Sequence, residues 1–138
     1  MPLTRRGIGT RKIKARAIYS GQASGPVLFT DKPLLIYGGI DVTTGKVLER
    51  GHPLQGISVT GKILVFPEAK GSTVGSWTLL QLEKNGAAPL AIINHSCEPI
   101  IATGVIMARI PCVDKVDIML MKNSNKISIY DDEIMIDG

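Results

Sequence analysis

Aromatic residues make up only 4% of the sequence: two Phe, one Trp and three Tyr. With so few rings the core must be aliphatic. A base-stacking nucleic-acid surface, which wants exposed Phe or Tyr, is disfavoured. Cysteine is scarce too. Cys97 and Cys112 lack C-x-x-C spacing and are too few for a disulfide scaffold. A zinc site takes about four ligands and an iron–sulfur cluster about four cysteines, so no metal site is expected on this chain. Both thiols are expected to be reduced core residues. No apolar run approaches the ~20 residues of a membrane span, and the N-terminus carries no signal-peptide pattern. The expectation is a soluble, cytoplasmic protein with no membrane or nucleic-acid partner. Internal repeats, low-complexity tracts and linkers are missing as well, so residues 1–138 are expected to form one domain.

The net charge is +4, and its placement says more than its size. Arg5, Arg6, Arg11, Lys12, Lys14 and Arg16 crowd the N-terminus, with a basic arm expected over about residues 1–11. Asp131, Asp132, Glu133 and Asp137 crowd the other end. A solvated basic arm lying near an acidic tail is the plain reading; contact with an anionic partner surface is the sharper one.

Periodicity divides the chain. From Lys12 to Tyr19 charged and apolar residues alternate, the pattern of a half-exposed strand. Gly21 to Gly25 reads as a turn, and Pro26–Phe29 and Leu34–Tyr37 as short strands. Lys62–Phe66 is a continuous apolar strand stopped by Pro67. Val74–Lys84 has helical spacing and ends at Asn85-Gly86. Ala91–Ile93 is a second buried strand. Pro99 sits in the first turn of a second helix, where its missing N–H costs nothing, and Cys112-Val113 starts a third strand. Strand–helix–strand–helix–strand in so short a span implies parallel strands with right-handed crossovers. Ile118–Met121, Ile127–Tyr130 and Ile134–Ile136 read as further strands. The fold class is therefore α/β, a small parallel βαβαβ layer with flanking β-strands.

The chemistry-bearing stretch is Pro67–Ser76, which leaves the C-terminal end of a buried strand and enters a helix. Ligands of open α/β sheets bind at that edge, and the helix start favours anions. Lys70 adds positive charge and Gly71 permits close backbone approach. Three familiar motifs fail. Lys70-Gly71-Ser72 reverses the order a P-loop needs. Gly71-Ser72-Thr73-Val74-Gly75 does not place its glycines as G-x-S-x-G requires. No G-x-G-x-x-G is present. A serine before a helix is most often an N-cap worth roughly 1 kcal/mol, and Asp41, His52 and His95 can all be turn or loop residues. The residues alone reach an α/β domain with an anion-friendly strand–helix loop.

Several segments taken in order resemble the aconitase X family of dehydratases. They are Gly38-Gly39-Ile40-Asp41, His52-Pro53-Leu54 with Gly56, Gly61–Pro67, Lys70–Ser76, Asn85–Pro89, Glu98-Pro99-Ile100 through Gly104, and Ile110–Asp114. The resemblance implies a swivelling β/β/α domain. It also implies a heterodimer with a large subunit that holds the iron–sulfur cluster, of the [4Fe-4S] type. It places the catalytic proton acceptor at Ser72, with Lys70, Gly71 and Thr73 binding substrate and Ser76 packing the helix. The family often has arginine where this chain has Lys70. The implied reaction is dehydration of a small phosphorylated hydroxy-acid, (R)-5-phosphomevalonate, to trans-anhydromevalonate 5-phosphate. Alternatives are dehydration of another hydroxy-acid such as hydroxyproline, or a non-catalytic swivelling module that binds a partner or carries a group on His52 or His95.

Overall fold

The computed structural model describes residues 10–137; Arg5 and Arg6 of the expected basic arm lie outside them. The strands are β1 (Thr10–Lys14), β2 (Arg16–Tyr19), β3 (Gln22–Phe29), β4 (Leu34–Leu35), β5 (Ile63–Phe66), β6 (Ala69–Lys70), β7 (Ala91–Asn94), β8 (Cys112–Asp114), β9 (Lys126–Tyr130) and β10 (Glu133–Asp137). The helices are α1 (Gly75–Lys84) and α2 (Pro99–Ala108), with one 3₁₀ turn at Ile118–Met121. Eight strands form one sheet in the order β1-β10-β9-β3-β5-β7-β8-β2, and β4 pairs with β6 in a two-stranded ribbon.

The expected β5–α1–β7–α2–β8 unit is present with parallel pairing, and β3 joins it as a fourth parallel strand beside β5. Every residue of β5 is buried, because both faces of these strands are covered. Leu64 and Phe66 face the helices, in a core with Leu79, Leu82, Ile101 and Val105. Ile63 and Val65 face the other way, onto Ile127, Ile129, Ile134 and Ile136. That second core is the inside of a curl. β1 and β2 stand at opposite ends of the strand order, yet Ala15 alone joins them. The sheet therefore bends round until its ends meet and is nearly closed. The Ala15 N–H donates to Asp132 O at 2.8 Å and marks the seam.

Four expectations change. The alternating stretch Lys12–Tyr19 is two strands, since the chain turns at Ala15 from one end of the sheet to the other. Gln22–Gly25 is not a turn; it begins β3 and pairs with β9 from Gln22↔Tyr130 to Pro26↔Lys126. Of Leu34–Tyr37 only the first two residues are strand. Ile118–Met121 is a 3₁₀ turn, held by the Asp117 carboxylate accepting the Met119 N–H at 3.1 Å. Charge placement follows the sheet. β1 lies antiparallel to β10, which puts Lys14 at 3.0 Å from Asp132 and Lys12 at 3.9 Å from Glu133.

Between β3 and β5 the chain makes a long excursion that carries β4. Leu34, Ile36, Ile40, Val47, Leu54 and Val59 from it join the helix-side core. It thereby forms a wall beside the loop that leads into α1.

Candidate functional site

Pro67 ends β5, and β6 then pairs in parallel with β4, Leu34 opposite Ala69 and Leu35 opposite Lys70. This ribbon fixes where the loop departs. Gly71 follows with φ +107°, a backbone conformation that side chains rarely adopt, and a Cβ there would sit 2.6 Å from Leu35 Cδ1. The positive φ calls for glycine, and a side chain there would also have to push the Leu35 methyl aside. The turn it permits throws Ser72, Thr73 and Val74 outward, and all three are exposed.

Ser72 does not occupy the helix-capping position. That position belongs to Val74, which makes no side-chain cap. Instead Ser72 Oγ accepts the Val74 N–H at 3.3 Å, and its carbonyl accepts the Gly75 N–H at 2.9 Å. Ser76 is buried and donates its hydroxyl to Thr73 O at 3.1 Å, so it tightens the first turn as expected. The N–H groups of Ser72 and Thr73 have no acceptor among the described residues. An exposed hydroxyl thus accepts one backbone N–H at a helix start, where negative charge is stabilised.

Lys70 points to Glu49, with Nζ 2.6 Å from Oε2. Sequence reading did not single out Glu49, which lies in the excursion far from Lys70 along the chain. Its other oxygen accepts the Leu35 N–H at 3.1 Å, so one carboxylate ties the turn before His52 to both strands of the ribbon. His52 is buried; its Nδ1 accepts the Leu54 N–H at 3.0 Å and Nε2 lies 3.1 Å from Pro33 O. That pairing requires the Nε2–H tautomer and makes the ring a brace between the turn and β4. Asp41 stays apart from the loop and closes its own turn, accepting the Thr43 and Thr44 N–H groups at 2.8 and 3.3 Å. His95 is exposed, and its backbone N–H donates to Pro67 O at 3.1 Å, beside the start of the loop. Asn94, fully buried at the end of β7, donates to Phe66 O at 2.9 Å and secures the same edge.

The cysteines occupy another part of the sheet edge. Cys112 is buried, but Cys97 is only half-buried, because it lies on the loop entering α2 rather than in a strand. The Cys97 N–H donates to Asp114 Oδ2 at 2.7 Å, and Asp114 takes a two-pronged contact from Arg16, 2.9 Å on each prong. Interaction with the neighbouring Cys112 thiol holds Cys97 below its usual pKa; the same neighbour, together with burial, pushes Cys112 well up.

A family model of the aconitase X swivel domain matches residues 12–137. The chain belongs to the aconitase X swivel-domain family. A crystal structure of Thermococcus kodakaraensis aconitase X in its holo-form superposes on this swivel domain with a TM-score of 0.88 and 44% identity. The match covers 91% of this chain and 98% of that one. Relatives named phosphomevalonate dehydratase small subunit span it nearly end to end. The Thermococcus onnurineus protein is 43% identical over 91% of this chain and 97% of its own length. The Methanothermobacter thermautotrophicus protein is 46% identical over 88% and 95%.

A cavity of about 570 Å³ lies at the C-terminal ends of both helices, lined by Glu83, Gly86 and Arg109. With α1 ten residues long, that end is about 15 Å from the loop. That cavity is therefore separate from the exposed Ser72 loop of this family member.

Proposed function

We propose that this chain is the small subunit of a two-subunit hydro-lyase that dehydrates (R)-5-phosphomevalonate to trans-anhydromevalonate 5-phosphate, with Ser72 as proton acceptor. The observation that carries the reading is an exposed Ser72 hydroxyl accepting the Val74 N–H at a helix start, on a loop whose turn Gly71 permits and whose base Lys70 ties to Glu49. Its support in the family is the full-length similarity to chains named as small subunits of that dehydratase.

Eliminating water beside a carboxylate needs a base for the α-proton and an acid for the leaving hydroxyl. This chain offers the first. A serine hydroxyl is a very weak acid, so its alkoxide must be stabilised electrostatically. The Val74 N–H already points at Ser72 Oγ, and the helix dipole favours the anion. Gly71 and Thr73 shape the substrate-side backbone. Lys70 is held on Glu49 and contributes its charge from beside the loop.

The residues present do not fit an iron–sulfur cluster. Among the described residues no group of three or more His, Cys, Asp or Glu could hold a metal ion. The cluster belongs to the proposed large subunit, where it would supply Lewis acidity at the leaving hydroxyl. Closure of this domain over that subunit would exclude water and deliver Ser72 only to bound substrate.

The test is an anaerobic dehydration assay with 5-phosphomevalonate, using each subunit alone and both mixed. Turnover in the mixture alone is expected. A formed complex with intact cluster and no turnover would remove phosphomevalonate as the substrate.

A further inference from the structure

A cavity of about 350 Å³ opens beside the loop, between Lys32-Pro33 on one side and the turn from Glu49 to Pro53 on the other, with Lys70 on its rim. Three cations, Lys32, Arg50 and Lys70, line it against one carboxylate, Glu49. We propose that this cavity seats the phosphate of the substrate, with Lys32 and Arg50 as its specificity residues; this rests on the dehydratase reading above.

The charge arithmetic favours it over its neighbours. The cavity at the far helix ends sets Glu83 against Arg109, and the one beside His95 sets Lys115 against Asp117. Here the lone carboxylate is fully engaged: one oxygen takes Lys70 and the other the Leu35 N–H. Lys32 and Arg50 have no carboxylate within ion-pair distance among the described residues. Arg50 brings a planar fork that matches a phosphate's oxygens. The floor is rigid, because the buried His52 ring is hydrogen-bonded at both nitrogens.

Placement agrees with the chemistry. Lys70 borders the cavity and stands two residues before Ser72, so the two Cα atoms are at most about 7 Å apart. A short acid with a phosphate at one end and its reacting carbon near the other spans a comparable length. The phosphate would rest on Lys32 and Arg50 while the α-carbon lies under Ser72.

Two measurements decide it. In the assembled enzyme, Lys32→Ala and Arg50→Ala should each raise KM for 5-phosphomevalonate about tenfold or more, with kcat little changed. Arg50→Lys should recover part of the loss, and residual turnover of unphosphorylated mevalonate should not move. Unchanged KM overturns the proposal. So does loss of subunit association in the variants, which would make these cations a contact with the partner protein. The second measurement is an amide NMR titration of the full-length chain with inorganic phosphate. Shifts clustered at Lys32, Arg50, Gly51 and Lys70, absent in the double alanine variant, are expected. Phosphate that perturbs them no more than chloride at equal ionic strength overturns the assignment. If the wild-type complex leaves 5-phosphomevalonate untouched, the dehydratase reading fails while the titration still decides the cavity.

Discussion

Glu49 is where the loop's position and its electrostatics meet. Burial alone would raise its carboxyl, but hydrogen bonds from the Lys70 ammonium and the Leu35 N–H bring it below the ordinary value of 4.5. A carboxyl depressed by folding contributes stability above its unfolded pKa, and loses that contribution as pH falls through the folded one. Thermal unfolding should therefore shift to lower temperature as pH drops below about 4.5. Glu49→Gln should lower Tm at pH 7 and flatten this acid slope. Some slope should persist, because Asp41 is also depressed, by the Thr43 and Thr44 N–H groups. An unchanged slope in the variant would mean that the carboxylate does not couple the turn to the ribbon. Ser72 asks for a different readout. Its side chain is exposed and makes one long hydrogen bond, so Ser72→Ala should leave Tm and subunit association unchanged. Turnover should fall by about 10²–10⁴-fold, the usual worth of a positioned proton acceptor. Comparable activity in the variant would remove the assignment.

At the scale of elements, α1 and α2 meet through Gly104. A Cβ at that position would lie 2.5 Å from Leu79 Cδ1 and 3.1 Å from Ser76 O. Gly104→Ala would gain up to about 1 kcal/mol of helix propensity, yet overpacking of this kind costs roughly 1–3 kcal/mol. A net loss of about 1 kcal/mol is expected in urea unfolding, with an unchanged m value. The parallel unit holding these helices was legible because its strands are short, continuous apolar runs and its helices carry Pro99 and Asn85-Gly86 as punctuation. The break at Ala15 was not, since alternation looks the same whether one strand continues or two strands part. Four apolar residues at Ile118–Met121 fit a strand as well as a 3₁₀ turn, and only Asp117 decides between them. At the loop, Lys70, Gly71, Ser72 and Thr73 are contiguous and stand out from sequence alone. Glu49, Lys32 and Arg50 reach it through the β4–β6 pairing and the fold of the excursion, which no local pattern announces.

Over the whole molecule, apolar exposure borders the candidate loop. Trp77, the sole tryptophan, is 59% exposed in the first turn of α1, and Val74 before the helix is 44% exposed. If the domain closes on a large subunit with Ser72 inward, this indole enters the interface. Its fluorescence should shift to the blue on titration with that subunit, and Ser72→Ala should show the same shift. Emission that stays put in a verified complex would mean that association uses another face. The near-closure of the sheet has a further consequence, in the order in which the chain is made. β1 pairs with β10 alone, and β9 lies between β10 and β3. As the chain is made, β1 must therefore wait for β10. Until residues 126–137 emerge, the inner faces of β3, β5 and β7 lack the isoleucines that cover them. Near-closure of the sheet has to await β10, and a nascent chain stalled short of β10 is left with open sheet edges on which other chains can pair.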